Sequence, residues 1–234
     1  MITLSNLTLA YQQKCLLRSA NVTFGSGTLT ALIGRNGAGK STLLRALAAI
    51  DTPKEGAVLL AEQNIHNLSA EHRAKLISFV STQRVRIANM LCQDVVAIGR
   101  APYTNWLGSM QDEDSQIVSS ALKAVGMEEF ALRAIDTLSD GECQRIMIAR
   151  ALAQQTPVIV LDEPTAFLDI PTRFEICRLL AELAHNSGKT IIFSTHDIDA
   201  AMPVSDAFAI LDNAAITMCD QQSAKEQIKR LFSL

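Results

Sequence analysis

No stretch of the 234-residue chain approaches the roughly 18 consecutive apolar residues that a membrane-spanning helix needs, although apolar residues make up 48% of the whole. That composition is ample for a sizeable core and excludes an integral membrane protein of the helical kind. The first residues, Met1-Ile2-Thr3-Leu4, lack the charged start and apolar centre of a signal peptide, so a cytoplasmic chain is expected. Basic charge is not in excess either: 21 Lys+Arg stand against 24 Asp+Glu, a net charge of −3, with no Lys/Arg block. Non-specific nucleic-acid binding, which requires a concentrated basic face, is therefore not expected. The five cysteines (Cys15, Cys92, Cys143, Cys177, Cys219) are odd in number and contain no CxxC pair, which excludes a disulfide framework and a zinc site of ordinary spacing. Internal repeats and low-complexity segments are absent.

What is present centres on eight residues, Gly34-Arg35-Asn36-Gly37-Ala38-Gly39-Lys40-Ser41, which match the phosphate-loop pattern GxxxxGK[ST] without exception. An apolar run at 29–33 precedes them as a predicted strand. The stretch 41–50 follows with Leu43, Leu44, Ala46, Leu47 and Ile50 at helical spacing. Glycines let the backbone turn its N–H groups toward a polyphosphate, and the helix start adds the positive end of its dipole. Lys40 supplies an ammonium for the β- and γ-phosphates, and Ser41, followed by Thr42, offers a hydroxyl to Mg²⁺. A glycine-rich turn that merely joins a strand to a helix would not need Lys40-Ser41 in register.

Along the rest of the chain, 2–9 and 22–24 alternate as antiparallel strands, and Tyr11 stands at a strand end, as apt for packing as for stacking on a purine. A short strand at 57–60, a helix at 71–76 and a strand at 77–81 lead to Gln83. From 84 to 135 helical periodicity takes over, at 94–98 and 112–125, which predicts an inserted helical subdomain. Between those helices the loop 100–108 holds Trp106, the only tryptophan, suited equally to internal packing and to partner contact. Leu138-Ser139-Asp140-Gly141-Glu142 opens a further helix, with Ser139 or Asp140 placed to cap it. The run 157–161 reads as a strand buried on both faces that delivers Asp162 and Glu163 at its carboxyl end, where ligands of parallel sheets sit. Two such carboxylates call for a cation: Asp162 suits Mg²⁺, and Glu163 is then left to orient and deprotonate water. A helix at about 172–184, a strand at 189–194 ending beside His196, a hairpin around Asp212-Asn213 and a closing helix near 221–232 complete the chain. The fold class expected is α/β: a phosphate-loop ATPase core with a mixed sheet and an amino-terminal antiparallel β portion (1–83 and 136–234), plus the inserted helical subdomain (about 84–135).

The ordered set of Tyr11, the loop 34–41, Gln83, LSDGE at 138–142, VIVLDEP at 158–164, Leu168-Asp169 and His196 resembles the ATP-binding subunit of ABC transporters over the whole chain. By that resemblance the ligands are ATP and Mg²⁺. Tyr11 stacks on adenine, Gln83 reaches the metal and senses a membrane partner, Glu163 is the catalytic base, His196 is the switch histidine and Asp169 lies between protomers. The resemblance further implies an ATP-dependent head-to-tail homodimer in which Ser139 and Gly141 of one chain cap the γ-phosphate held by Lys40 of the other. Separate integral-membrane permease subunits, a substrate-binding protein engaged indirectly, and a peripheral location on the inner face of the cell membrane are implied too. One departure is Asp140, where glycine is common; its charge bears on the hydrolysis rate. The stretch 97–103 with Trp106-Leu107-Gly108 is similar to importers of metal chelates (iron-siderophore, haem, cobalamin) and suggests a docking surface at 100–108. Two alternatives have the same cassette: a soluble ATPase of repair, translation or cluster assembly, and a weakly hydrolysing nucleotide-gated assembly module.

Overall fold

A computed structural model of the chain describes residues 1–83, 87–104 and 110–232. Strands β1 (Ile2–Tyr11) and β2 (Lys14–Phe24) form a hairpin, and β3 (Leu29–Gly34) runs into the phosphate loop and α1 (Lys40–Leu47). Next come β4 (Glu55–Leu60), β5 (Gln63–Asn64), α2 (Ala70–Leu76) and β6 (Ile77–Val80). A helical stretch holds α3 (Cys92–Ala97), a 3-10 turn at Ile98–Tyr103, α4 (Asp112–Ala124) and α5 (Asp140–Ala153). The chain closes with β7 (Val158–Leu161), α6 (Ile170–Ser187), β8 (Thr190–Ser194), α7 (Ile198–Ala201), β9 (Ala207–Asp212), β10 (Ala215–Cys219) and α8 (Gln221–Phe232).

Two sheets result. An antiparallel one has the order β2-β1-β4-β5; the other, β10-β9-β3-β8-β7-β6, is parallel except for its edge strand β10. The central strands are buried on both faces, as parallel strands covered by helices must be. Leu32, Val160 and Ile192 point to one face, where α1 contributes Leu43, Leu44 and Leu47 and the antiparallel sheet adds Leu7 and Leu17. Ala31, Leu161 and Phe193 point to the other, against α3 to α6 and α8. The phosphate loop thus sits at the carboxyl edge of a central strand, with α1 held rigidly between two sheets.

Several sequence expectations shift. β2 begins at Lys14 and not at 22, because the β1–β2 ladder is broken by register shifts and by left-handed residues at Asn6 and Ser19, which erase the alternation. α1 stops at Leu47, since Ala49 takes a positive φ of 52°, leaving Ile50 exposed past the helix end. α6 starts at Ile170, capped by Asp169 and with Pro171 in its first turn. α5 packs on α3 and α4, so helical packing continues past residue 135.

The loop expected at 100–108 is a 3-10 turn as far as Tyr103, and Trp106 lies outside the described residues. Arg100 does not face a partner: it is only 5% exposed. Its Nε pairs with Asp114 Oδ1 at 2.8 Å, and its Nη1 donates to Ala153 O and Gln155 Oε1, each at 2.8 Å. The Tyr103 ring lies 4.1 Å from that guanidinium, and its hydroxyl donates to Gln154 O at 3.1 Å. Arg100 is an internal clamp between α4 and the end of α5, a paired buried charge whose loss would strand Asp114.

Candidate functional site

β3 delivers the loop, and α1 begins at Gly39, whose φ of 106° is closed to other residues without strain. A Cβ there would lie 2.9 Å from that of Leu16. No side chain caps α1, which leaves its first-turn N–H groups facing the open side. Lys40, 6% exposed, donates from Nζ to Gly34 O at 2.9 Å and, at 3.5 Å, to Arg35 O. Burial pushes its ammonium below the usual lysine range, while the carboxylates of Glu163 and then Asp162 pull the other way.

β7 carries Asp162 and Glu163 to the same edge. Asp162 is 8% exposed, and its Oδ1 accepts the Ser194 hydroxyl at 2.7 Å. Ser194 Oγ in turn accepts the backbone N–H of Glu163 at 2.9 Å, so the serine at the end of β8 holds both carboxylate residues in place. Glu163 has a left-handed φ of 49°, and the carboxylate it presents meets His196 Nε2 at 2.6 Å. His196 Nε2 also lies 3.4 Å from Lys40 Nζ.

Lys40, Glu163, Asp162 and His196 are therefore brought together. A cavity of about 430 Å³ extends from them, lined by Tyr11, Asn36, Lys40, Ser41, Thr42 and Glu163. Tyr11 is 65% exposed at its mouth, free to receive a flat ring. Gln83 lines a narrow crevice that shares Glu163 with this cavity. Ser139, Gly141 and Asp169 are not part of it; they line a separate groove with Arg145, Thr172 and Glu175. Gly141 lies close to Thr172: a Cβ there would fall 2.7 Å from Thr172 Cγ2, so a larger residue would displace that side chain.

For a divalent cation the donor set is hard oxygen: the Asp162 carboxylate, the Ser41 hydroxyl and the Gln83 amide. Asp162 Oδ2 accepts no hydrogen bond from any described residue although the group is nearly buried, which leaves one donor oxygen for a cation. Among the described residues no three His, Cys, Asp or Glu cluster as a metal cage. Sequence reasoning missed Ser194, and it missed Lys14, whose Nζ reaches Gly37 O at 3.3 Å. Ser194 had one available signal, its place at the carboxyl end of a buried strand one residue before Thr195-His196.

An uncapped helix start after a parallel strand, with a buried lysine and strand-end carboxylates, defines a phosphate-loop nucleotide-hydrolysing enzyme. The family model of the ABC transporter matches residues 17–166, and the chain belongs to that family. It is an ATP-binding protein and an ATPase. The chain is 36% identical over 200 residues to the iron(3+)-hydroxamate import ATP-binding protein FhuC of Bacillus subtilis, covering 86% of this chain and 74% of that one. Among solved structures it superposes with a TM-score of 0.87 on a transporter provisionally assigned to the metal-chelate type, in an inward-facing conformation, at 28% identity and over 100% of this chain and 89% of the other. It also superposes, at 0.81 and 29% identity, on the dimeric ATP-binding cassette MJ0796 bound to ADP and Pi, over 94% of this chain and 99% of that one. The sequence-level likeness to an ABC ATP-binding subunit is thereby borne out, as is the fold class.

Proposed function

We propose that this chain is the energy-coupling ATPase of an importer for a metal chelate of the iron-siderophore, haem or cobalamin kind, working as a pair of copies against separate membrane subunits. The observation that carries the hydrolytic part is the convergence of buried Lys40 with Glu163 and the more exposed His196. Lys40 leaves the carbonyls of Gly34 and Arg35 to meet the β- and γ-phosphates. Tyr11 stacks on the adenine, and N–H groups of residues 37–42 hold the phosphates. Ser41, Asp162 and Gln83 would hold Mg²⁺, which would neutralise phosphate charge at the site. Glu163 then turns from His196 to accept the proton of the attacking water, and His196, released, donates toward the γ-phosphate.

The groove of Ser139, Gly141 and Asp169 lies apart from this cavity. A second copy, turned head to tail, supplies that groove to the first copy's nucleotide, which supports a homodimer with two composite sites. Among the described residues no helix is long and apolar enough to cross a membrane; the import ATP-binding relative supports attachment through permease subunits on the inner face of the membrane. The iron(3+)-hydroxamate relative, the metal-chelate-type structural neighbour and the stretch 97–108 support the substrate class.

Deletion of the gene followed by growth on a siderophore complex, haem or cobalamin as the sole source of metal or cofactor tests this reading. Uptake of one of the three should be lost. Normal uptake of all three, with loss of transport of an unrelated solute, would overturn the chelate assignment.

A further inference from the structure

The side chain of Arg35 does not follow its backbone into the phosphate cavity. Its Nε and Nη2 both donate to the backbone oxygen of Leu231, at 2.9 and 2.5 Å, in the last turn of α8. Carbonyls there have no partner within their own helix and carry the negative end of its dipole, so a guanidinium suits them both as donor and as charge. α8 packs on the body through Ala224, Ile228 and Leu231. At its other end Gln221 Nε2 donates to Met202 O at 2.8 Å. Its flank is open: a cavity of about 740 Å³ lies between Lys225 and Lys229 on one side and Arg173 and Phe174 on the other. The helix is thus tied at each end, and the tie at its carboxyl end is made by the phosphate loop.

On the loop side, Arg35 O accepts Ala38 N–H at 3.1 Å and Lys40 Nζ at 3.5 Å. A displacement of Arg35 would move the turn that aims the following N–H groups. We propose that Arg35 is a positioning residue for ATP, and that the latch from its guanidinium to the end of α8 sets the conformation in which the loop grips the nucleotide. α8 then acts on ATP affinity from outside the site, and lifting its carboxyl end loosens the grip. The inference rests on residues 34–42 being the nucleotide site and goes beyond a role for Arg35 through its backbone alone.

ATP affinity and steady-state hydrolysis measured on the full chain, on Arg35→Ala, on Arg35→Lys, on a chain ending at Arg230 and on the combination of Arg35→Ala with that truncation test the latch. Arg35→Ala and the truncation should each raise the ATP dissociation constant and KM by about fivefold or more, with kcat held within about twofold. Arg35→Lys, which keeps one charged donor, should recover part of the loss. The combination should bind no more weakly than the weaker single change, because both remove the same contact. Unchanged affinity in Arg35→Ala, even with a lower melting temperature, would overturn the latch. Additive losses would do so as well, since Arg35 would then be touching the nucleotide itself. A parent chain that binds no ATP would overturn the nucleotide site along with the latch, whereas tight parental binding matched by Arg35→Ala would overturn the latch alone.

Discussion

Two helix starts in this molecule look alike in electrostatics and differ in how their N–H groups are satisfied. α1 begins at a left-handed glycine with no side-chain cap. α5 begins at Ser139, whose Oγ accepts Glu142 N–H at 3.3 Å and donates to Glu142 Oε2 at 2.8 Å, while Ser139 N–H donates to the same oxygen at 2.8 Å. The capping box meets at α5 the demand that α1 leaves open for a phosphate. One start is therefore poised to bind an anion by itself. At the other, the serine hydroxyl must exchange its carboxylate for a phosphate, which suits a half-site that acts only when a second copy brings the nucleotide to it.

The largest break in this contrast comes from disabling chemistry at the α1 end while keeping its grip. Glu163→Gln should slow hydrolysis by at least about a hundredfold with ATP binding retained. ATP with Mg²⁺ should then trap a dimer detectable by sedimentation. A parental hydrolysis rate would remove Glu163 as the base, and a protein that stays monomeric with ATP bound would remove the composite site.

A smaller effect is expected at α5. Glu142→Ala opens the capping box and should cost about 1 kcal/mol of stability near neutral pH, read from urea unfolding. Its hydrogen bonds from the Ser139 backbone and then from the Ser139 hydroxyl hold the Glu142 carboxyl below the usual glutamate range. A depressed carboxyl contributes stability that is complete above the unfolded value and fades as pH falls through the folded one. The gap between parent and variant should accordingly narrow as the pH falls below the ordinary glutamate range. A gap independent of pH would mean that the carboxylate is not the group that caps α5.

The smallest effect is expected from Asp140, the acid one residue into α5. If it serves the helix start and not the opposing triphosphate, Asp140→Gly changes the hydrolysis rate by less than about threefold. An acceleration of tenfold or more, on the order of 1.4 kcal/mol of barrier, would place its charge against the nucleotide.

What was legible in the sequence was whatever chemistry lies contiguous along the chain. Gly34 to Ser41 is a backbone device, and its residue types follow from the conformations that it must adopt. The strands 29–33, 157–161 and 189–194 were legible because burial on both faces leaves runs dominated by apolar residues, unbroken at Val158–Leu161 and Ile191–Phe193. β2 was largely illegible, since bulges and the left-handed Ser19 scramble its alternation while Leu16 and Leu17 are both buried. The 3-10 turn at Ile98–Tyr103 was hidden too: nothing in Arg100 alone reveals that Asp114, fourteen residues on, will take it inward.

The sequence by itself determined membership of the family, the phosphate loop and the strand-end acids, because each depends on the order of residue types within one short segment. Only the tertiary structure decided that Ser194 would hold Asp162 and Glu163 together, that His196 would meet both Glu163 and Lys40, and that Arg35 would turn from the phosphate cavity to the end of α8. Those contacts join residues up to 196 positions apart. The direction of each side chain was settled by the register of β3 against β8 and of β8 against β7, together with the docking of α8, which no local pattern in the chain encodes.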